Sequence, residues 1–275
     1  MAFLENQGVK IYWDEQGAGE PILLIMGLSY PSYMWHRTRP GLAARYRTIA
    51  FDNRGVGQSD VPPGPYSMPM MAADAAAALD AAGIDTAHVL GFSMGGMIAQ
   101  EFALRYPQRV KSLILGCTSP GGPQSVQAAP EVVQLLLSRG VMSPAEANEA
   151  MIPFIYDRAT SRALIDEDMA IRMKWYPTPE GYMGQLQAIF GWEAYSRIAQ
   201  IAAPTLVIHG ETDRLVPTEN GKLIAAKIPG AKLVLLPQAS HIFATDQPTA
   251  TNQALSDFLS IQTTHHQSAT SLTSL

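Results

Sequence analysis

The chain has 275 residues, 47% of them hydrophobic and 16% charged, with a formal net charge of −5. That is enough apolar material for one large domain with an insertion, and it excludes a disordered chain. The negative balance, the lack of any Lys or Arg cluster and the lack of an apolar run of ~18 residues argue against nucleic acid, an anionic membrane surface or a membrane span.

Taken from the N-terminus, residues 1–6 carry no basic segment followed by an apolar one, so no signal peptide is expected. Residues 9–14 alternate like a strand with one wet face, and residues 16–19 make a glycine turn. Residues 21–26 read as a fully buried strand, and 48–51, 88–90, 112–115, 205–208 and 232–235 repeat that type. Helical patterns cover 70–82, 95–106 (stopped by Pro107), 220–227 and 249–259. Buried strands alternating with helices predict an α/β fold with a mostly parallel sheet covered on both faces.

The alternation stops between Cys117 and Ile201. Prolines punctuate helical pieces at 131–138, 144–151 and 162–173, among many Met and aromatic residues. The reading is a core made of 1–117 and 201–261, a helical insertion at 118–200 that caps the carboxyl edge of the sheet, and a Ser- and Thr-rich disordered tail at 262–275. His265 and His266 in that tail read as a solvated pair, since no partner ligands lie nearby. The single cysteine, Cys117, cannot form an internal disulfide and reads as a small buried residue at a strand end. A cytoplasmic location follows from the same features.

The chemistry gathers at Gly91-Phe92-Ser93-Met94-Gly95, where a buried strand breaks directly into a helix. A serine on such a tight turn has its neighbours crowded against backbone, which requires the two glycines. Ser93 projects its hydroxyl from the turn, and the Met94 N–H opens the helix, where backbone donors are unpaired. A serine hydroxyl needs a base to take its proton. Of six histidines, His88 begins a buried strand and His209 ends one, so both read as structural. His241 lies in the loop directly after the last strand and is the candidate base. Asp213, in the loop after the preceding strand, is the candidate that orients the imidazole, with Glu211 and Asp246 as rivals.

Ser93, Asp213 and His241, in that chain order on strand-end loops, resemble the α/β-hydrolase superfamily, and most closely its capped, cofactor-free esterase and enol-lactonase group. The resemblance runs from about Val9 to Leu259 and includes Phe51-Asp52-Asn53-Arg54-Gly55-Val56-Gly57-Gln58-Ser59, where Asp52 and Arg54 are read as a charged pair that braces the loop. It implies a second oxyanion donor, the Leu28 N–H in Ile25-Met26-Gly27-Leu28-Ser29, beside that of Met94. Met26 stands where the family usually has histidine, so something else must hold that loop. The implied activity is ester hydrolysis through an acyl-enzyme, without metal or organic cofactor, the partner being the small-molecule ester; the apolar insertion points to small to medium hydrophobic esters rather than charged ones. Enol-lactone hydrolysis, carbon–carbon bond hydrolysis and perhydrolysis share the same residues. A dehalogenase would need aspartate at position 93, and a non-catalytic binding protein of this fold can keep all three.

Overall fold

The computed structural model describes residues 2–272, with side chains as far as residue 262. Eight strands form one sheet: β1 (Ala2–Asn6), β2 (Val9–Gln16), β3 (Glu20–Ile25), β4 (Tyr46–Phe51), β5 (Ala87–Phe92), β6 (Val110–Gly116), β7 (Thr205–Gly210) and β8 (Lys232–Leu236). Their order is β1-β2-β4-β3-β5-β6-β7-β8. The β1–β2 and β2–β4 pairs are antiparallel, and every later pairing is parallel. The fold is that of an α/β hydrolase.

Strand pleating sends alternate side chains to opposite faces, and here both faces are buried. Leu23 and Ile25 pack with α2 (Met68–Ala81), α3 (Met94–Arg105) and α8 (Glu219–Lys227). Ile22 and Leu24 point the other way, against Trp35, α1 (Arg39–Ala43) and Leu255, Phe258 and Leu259 of α10 (Pro248–Leu272). The continuous apolar character of the strands is therefore a consequence of cover on both sides.

Between β6 and β7 run α4 (Pro130–Ser138), α5 (Pro144–Ile155), α6 (Arg162–Lys174) and α7 (Pro179–Phe190). Helix α7 is not read from the sequence, where Pro177 and Pro179 look like breaks. In the fold Pro179 opens the first turn, which lacks N–H acceptors in any case, and the Thr178 side chain accepts from the Gly181 N–H. Strand β1 was also unread; it pairs with β2 through a tight turn at Gln7 and Gly8, both at positive φ. Helix α10 continues to Leu272, so residues 262–272 are helical where composition predicts irregular chain. Each residue added to an existing helix gains a backbone hydrogen bond, which lets weak helix formers extend it. Residues 273–275 of the predicted tail, and the side chains of His265 and His266, lie outside the described residues. No helix among the described residues is long and apolar enough to cross a membrane.

Register brings the functional loops together. Ile25 pairs with Gly91, Phe92 with Gly116, Gly116 with Ile208 and Gly210 with Leu236. The carboxyl ends of β3, β5, β6, β7 and β8 thus share one edge, and the loops carrying Leu28, Ser93, Asp213 and His241 all leave from it.

Candidate active site

Ser93 adopts φ 57° and ψ −122°, a strained conformation for any residue with a Cβ. Its surroundings over-determine that geometry. Its N–H donates to the Gly116 carbonyl at 2.9 Å, and its carbonyl accepts from Gly96 N–H at 2.8 Å and Thr118 Oγ1 at 2.7 Å. A Cβ on Gly91 would run into the Gly95 carbonyl, and one on Gly95 into the carbonyl of Ile25. Both glycines of the motif are required by close backbone approach.

His241 Nε2 lies 2.9 Å from Ser93 Oγ, and His241 Nδ1 lies 2.8 Å from Asp213 Oδ2. With Nδ1 donating to the carboxylate, Nε2 is left to accept the serine proton. Asp213 Oδ1 in turn accepts the N–H groups of Leu215 and Val216, both at 2.9 Å. Burial raises the Asp213 carboxyl, but the His241 charge and hydrogen bonds from His209 and His241 outweigh it and lower it to about 2.

The sign of this shift gives a stability test. A folded-state value of about 2 against an ordinary 3.8 stabilises the fold above pH 3.8, and that stabilisation is lost as pH falls towards 2. Between pH 5 and 2, the wild type is expected to lose about 2 kcal/mol more than Asp213→Asn in urea unfolding. Parallel losses in the two proteins would contradict the assignment.

Of the rival acids, Glu211 is exposed. Asp246 is raised to about 6 by burial, against hydrogen bonds from Thr160, Ser240 and Asp157. It accepts from the Ser240 N–H at 2.7 Å and so ties down the loop of His241 from behind. His88 is held by Ser112 and Glu20 far from this edge. Cys117 is buried at the end of β6, and burial pushes its thiol well up, out of the reactive range.

Three positioning residues escape the sequence reading. His209 Nε2 sits 2.9 Å from the Val216 carbonyl and 3.2 Å from Asp213 Oδ2, so two imidazoles converge on one carboxylate oxygen. Asn53 Nδ2 donates to the Met26 carbonyl at 2.8 Å. Gln185, from α7, accepts the Ser29 N–H at 2.8 Å and donates to the Arg54 carbonyl at 2.8 Å. Asn53 and Gln185 therefore hold the loop that a histidine at position 26 would otherwise brace. The expected Asp52–Arg54 pair does not form. Asp52 accepts the N–H groups of Ser32 and Gln58, while Arg54 makes a two-pronged pair with Asp74 on α2 at 2.7 and 2.8 Å. A guanidinium fork matches the two oxygens of one carboxylate, and Asp74, which also accepts from Asn6 Nδ2 at 2.8 Å, presents both to Arg54, while those of Asp52 are turned to backbone N–H groups.

The N–H groups of Leu28 and Met94 donate to no protein acceptor among the described residues. Both residues line a cavity of about 160 Å³ that also reaches Ser93 and His241. Its other walls include Trp35 and Phe92 from the core and Val133, Met151, Ile155 and Leu186 from the insertion.

Ser93, Asp213 and His241 thus meet from the loops that follow β5, β7 and β8. The chain is 31% identical over 262 residues to a protein named as a carbamate hydrolase, RutD, from Azorhizobium caulinodans, covering 94% of this chain and 98% of that one. It is 32% identical to a poly(3-hydroxyalkanoate) depolymerase from Ectopseudomonas oleovorans, over 87% and 84% of the two chains. The solved structure of a thermophilic esterase from Thermogutta terrifontis superposes with a TM-score of 0.83 at 27% identity, covering 94% of this chain and 97% of that one. Residues 20–248 match the family model described as alpha/beta hydrolase fold, and the chain belongs to that family.

Proposed function

We propose that the protein is a serine hydrolase that cleaves carboxylic esters through an acyl-enzyme, with Ser93 as nucleophile, His241 as base and acid, and Asp213 as orienting carboxylate. The observation that carries this reading is the continuous hydrogen-bonded chain from Ser93 Oγ through His241 to Asp213. His241 Nε2 takes the Ser93 proton as the oxygen attacks the ester carbonyl. The N–H groups of Leu28 and Met94 receive the resulting oxyanion. His241 then protonates the departing alcohol, leaving an acyl group on Ser93. Water, deprotonated by the same imidazole, attacks that acyl carbon and releases the acid, and Ser93 recovers its proton. Asp213 stays ionised throughout, in keeping with its lowered pKa. The sequence needs only these groups and water. Residues 118–200 act in this reading as a cap whose apolar underside packs the substrate, a small-molecule ester.

The RutD likeness favours carbamates as a second substrate class for the same machinery. A pre-steady-state test separates the readings. With p-nitrophenyl butyrate, a burst of p-nitrophenol equal to the enzyme concentration, followed by slower turnover, is expected. Turnover of aryl carbamates with none of esters would favour the second reading, and a protein inert to both would be a binding module on this fold.

A further inference from the structure

Four arginines are buried: Arg39, Arg54, Arg139 and Arg172. Two follow the ordinary rule that a buried charge is paired, Arg39 with Asp14 and Arg54 with Asp74. The other two are not. Among the described residues no carboxylate pairs with Arg139 or Arg172, although these side chains come from the insertion and are 5% and 1% exposed. The Nε of each has no hydrogen-bond partner. Arg139 reaches only Ser29 Oγ at 3.4 Å and the Tyr176 hydroxyl at 3.5 Å, with its guanidinium 5.0 Å from the Tyr182 ring centre. Arg172 has Met169 Sδ at 3.5 Å and lies 4.3 Å over the ring of Tyr30. Asp168, one turn before Arg172, is already occupied by Arg37, Tyr156 and Thr245.

Both unpaired arginines line the same cavity as Ser93 and His241. Arg139 also borders a second cavity of about 100 Å³, with Tyr176 and Tyr182. Ser29 and Tyr30, which touch Arg139 and Arg172, directly follow Leu28, the residue placed at the oxyanion. A buried guanidinium with no counter-ion is costly, and two of them on the wall of the cavity that Ser93 lines are compensated when a ligand supplies the charge.

We propose that Arg139 and Arg172 form an anion subsite of the active-site cavity, and that the preferred ester carries a carboxylate on its acyl or its alcohol portion. This rests on the ester-hydrolase reading and sharpens it: the apolar walls hold the neutral part of the substrate, and the two guanidiniums hold its charged end. It revises the expectation, drawn from the apolar insertion, that charged esters are disfavoured. A carboxylate offers two oxygens to the planar donors of each arginine, which suits it better than a neutral polar group.

The test compares two matched pairs of esters. Mono-p-nitrophenyl glutarate against p-nitrophenyl pentanoate places the charge on the acyl side; butanoyl glycolate against ethyl butanoate places it on the alcohol side. In the wild type, kcat/KM for the charged member of one pair is expected to exceed its neutral partner by about 30-fold or more. Arg172→Met and Arg139→Met each remove most of that preference, read as the charged-to-neutral ratio of kcat/KM within each variant, while Arg172→Lys keeps part of it. Because no ion pair is broken, the Met variants are expected to melt at or above the wild-type Tm. A wild type that favours the neutral member of both pairs, or Met variants with the wild-type ratio, would overturn the proposal. Calorimetric titration with glutaramate against butanamide reads the subsite without any turnover. Glutaramate binding that is lost in Arg172→Met supports the subsite even if no ester is cleaved, in which case only the ester reading fails. No binding by the wild type of either glutaramate or butanoylglycinate, the amide that carries the carboxylate on the other side, overturns the subsite itself.

Discussion

Ser93→Ala is expected to lower kcat for p-nitrophenyl butyrate by about five orders of magnitude, with little change in stability. Removing the hydroxyl takes away the atom proposed to form the acyl bond, the one that lies 2.9 Å from His241 Nε2. What remains is whatever the Leu28 and Met94 donors do for direct attack by water. Stability should change little, because the positive φ of 57° is kept and only one hydrogen bond, to His241 Nε2, is lost. A variant that keeps a tenth or more of wild-type kcat would show that another group attacks the ester. His241→Ala should resemble Ser93→Ala, and combining the two should cost little more than either alone, since side chains that act as one unit are strongly non-additive.

Gly95→Ala is the second large effect, and its sign is the informative part. In a helix, replacing glycine by alanine ordinarily gains about 1 kcal/mol. Gly95 is in the first turn of α3, yet a Cβ there would collide with the backbone carbonyl of Ile25 and come within 2.8 Å of the carbonyl of Met26. Backbone at the end of a central strand cannot retreat as a flexible side chain can. The expected cost is therefore about 3 kcal/mol, read as a lower urea midpoint at unchanged m-value. Activity should fall as well, because Ile25 and Met26 lead directly into the loop of Leu28. An alanine variant as stable as the wild type would mean that α3 does not approach β3 as described.

Much of this was legible in the residues themselves. Buried strands have no polar face to interrupt them, so residues 21–26, 88–90 and 205–208 announce a sheet covered on both sides. Once that sheet is parallel, loops after its strands emerge at one edge, and Ser93, Asp213 and His241 are drawn together by topology alone. Side-chain partners chosen across the fold were not legible. Gln185 meets Ser29 across 156 positions, and nothing local marks it as the brace of that loop. Helix α6 has polar residues on most of its surface, so Arg172 reads as one more solvated charge until packing shows it buried. Asp52 and Arg54 look like a pair because they are neighbours, whereas their true partners are backbone amides and Asp74. Proline hid α7 because the same residue both ends helices and starts them.

The most direct measurement of the central claim is peptide mass analysis of the protein after reaction with a fluorophosphonate. Such a reagent marks a serine only when a neighbouring base and oxyanion donors activate it. A single adduct on the peptide that contains Ser93, absent in His241→Ala, is the expected result. An intact native protein left unlabelled at Ser93, or labelled on another serine, would contradict the account.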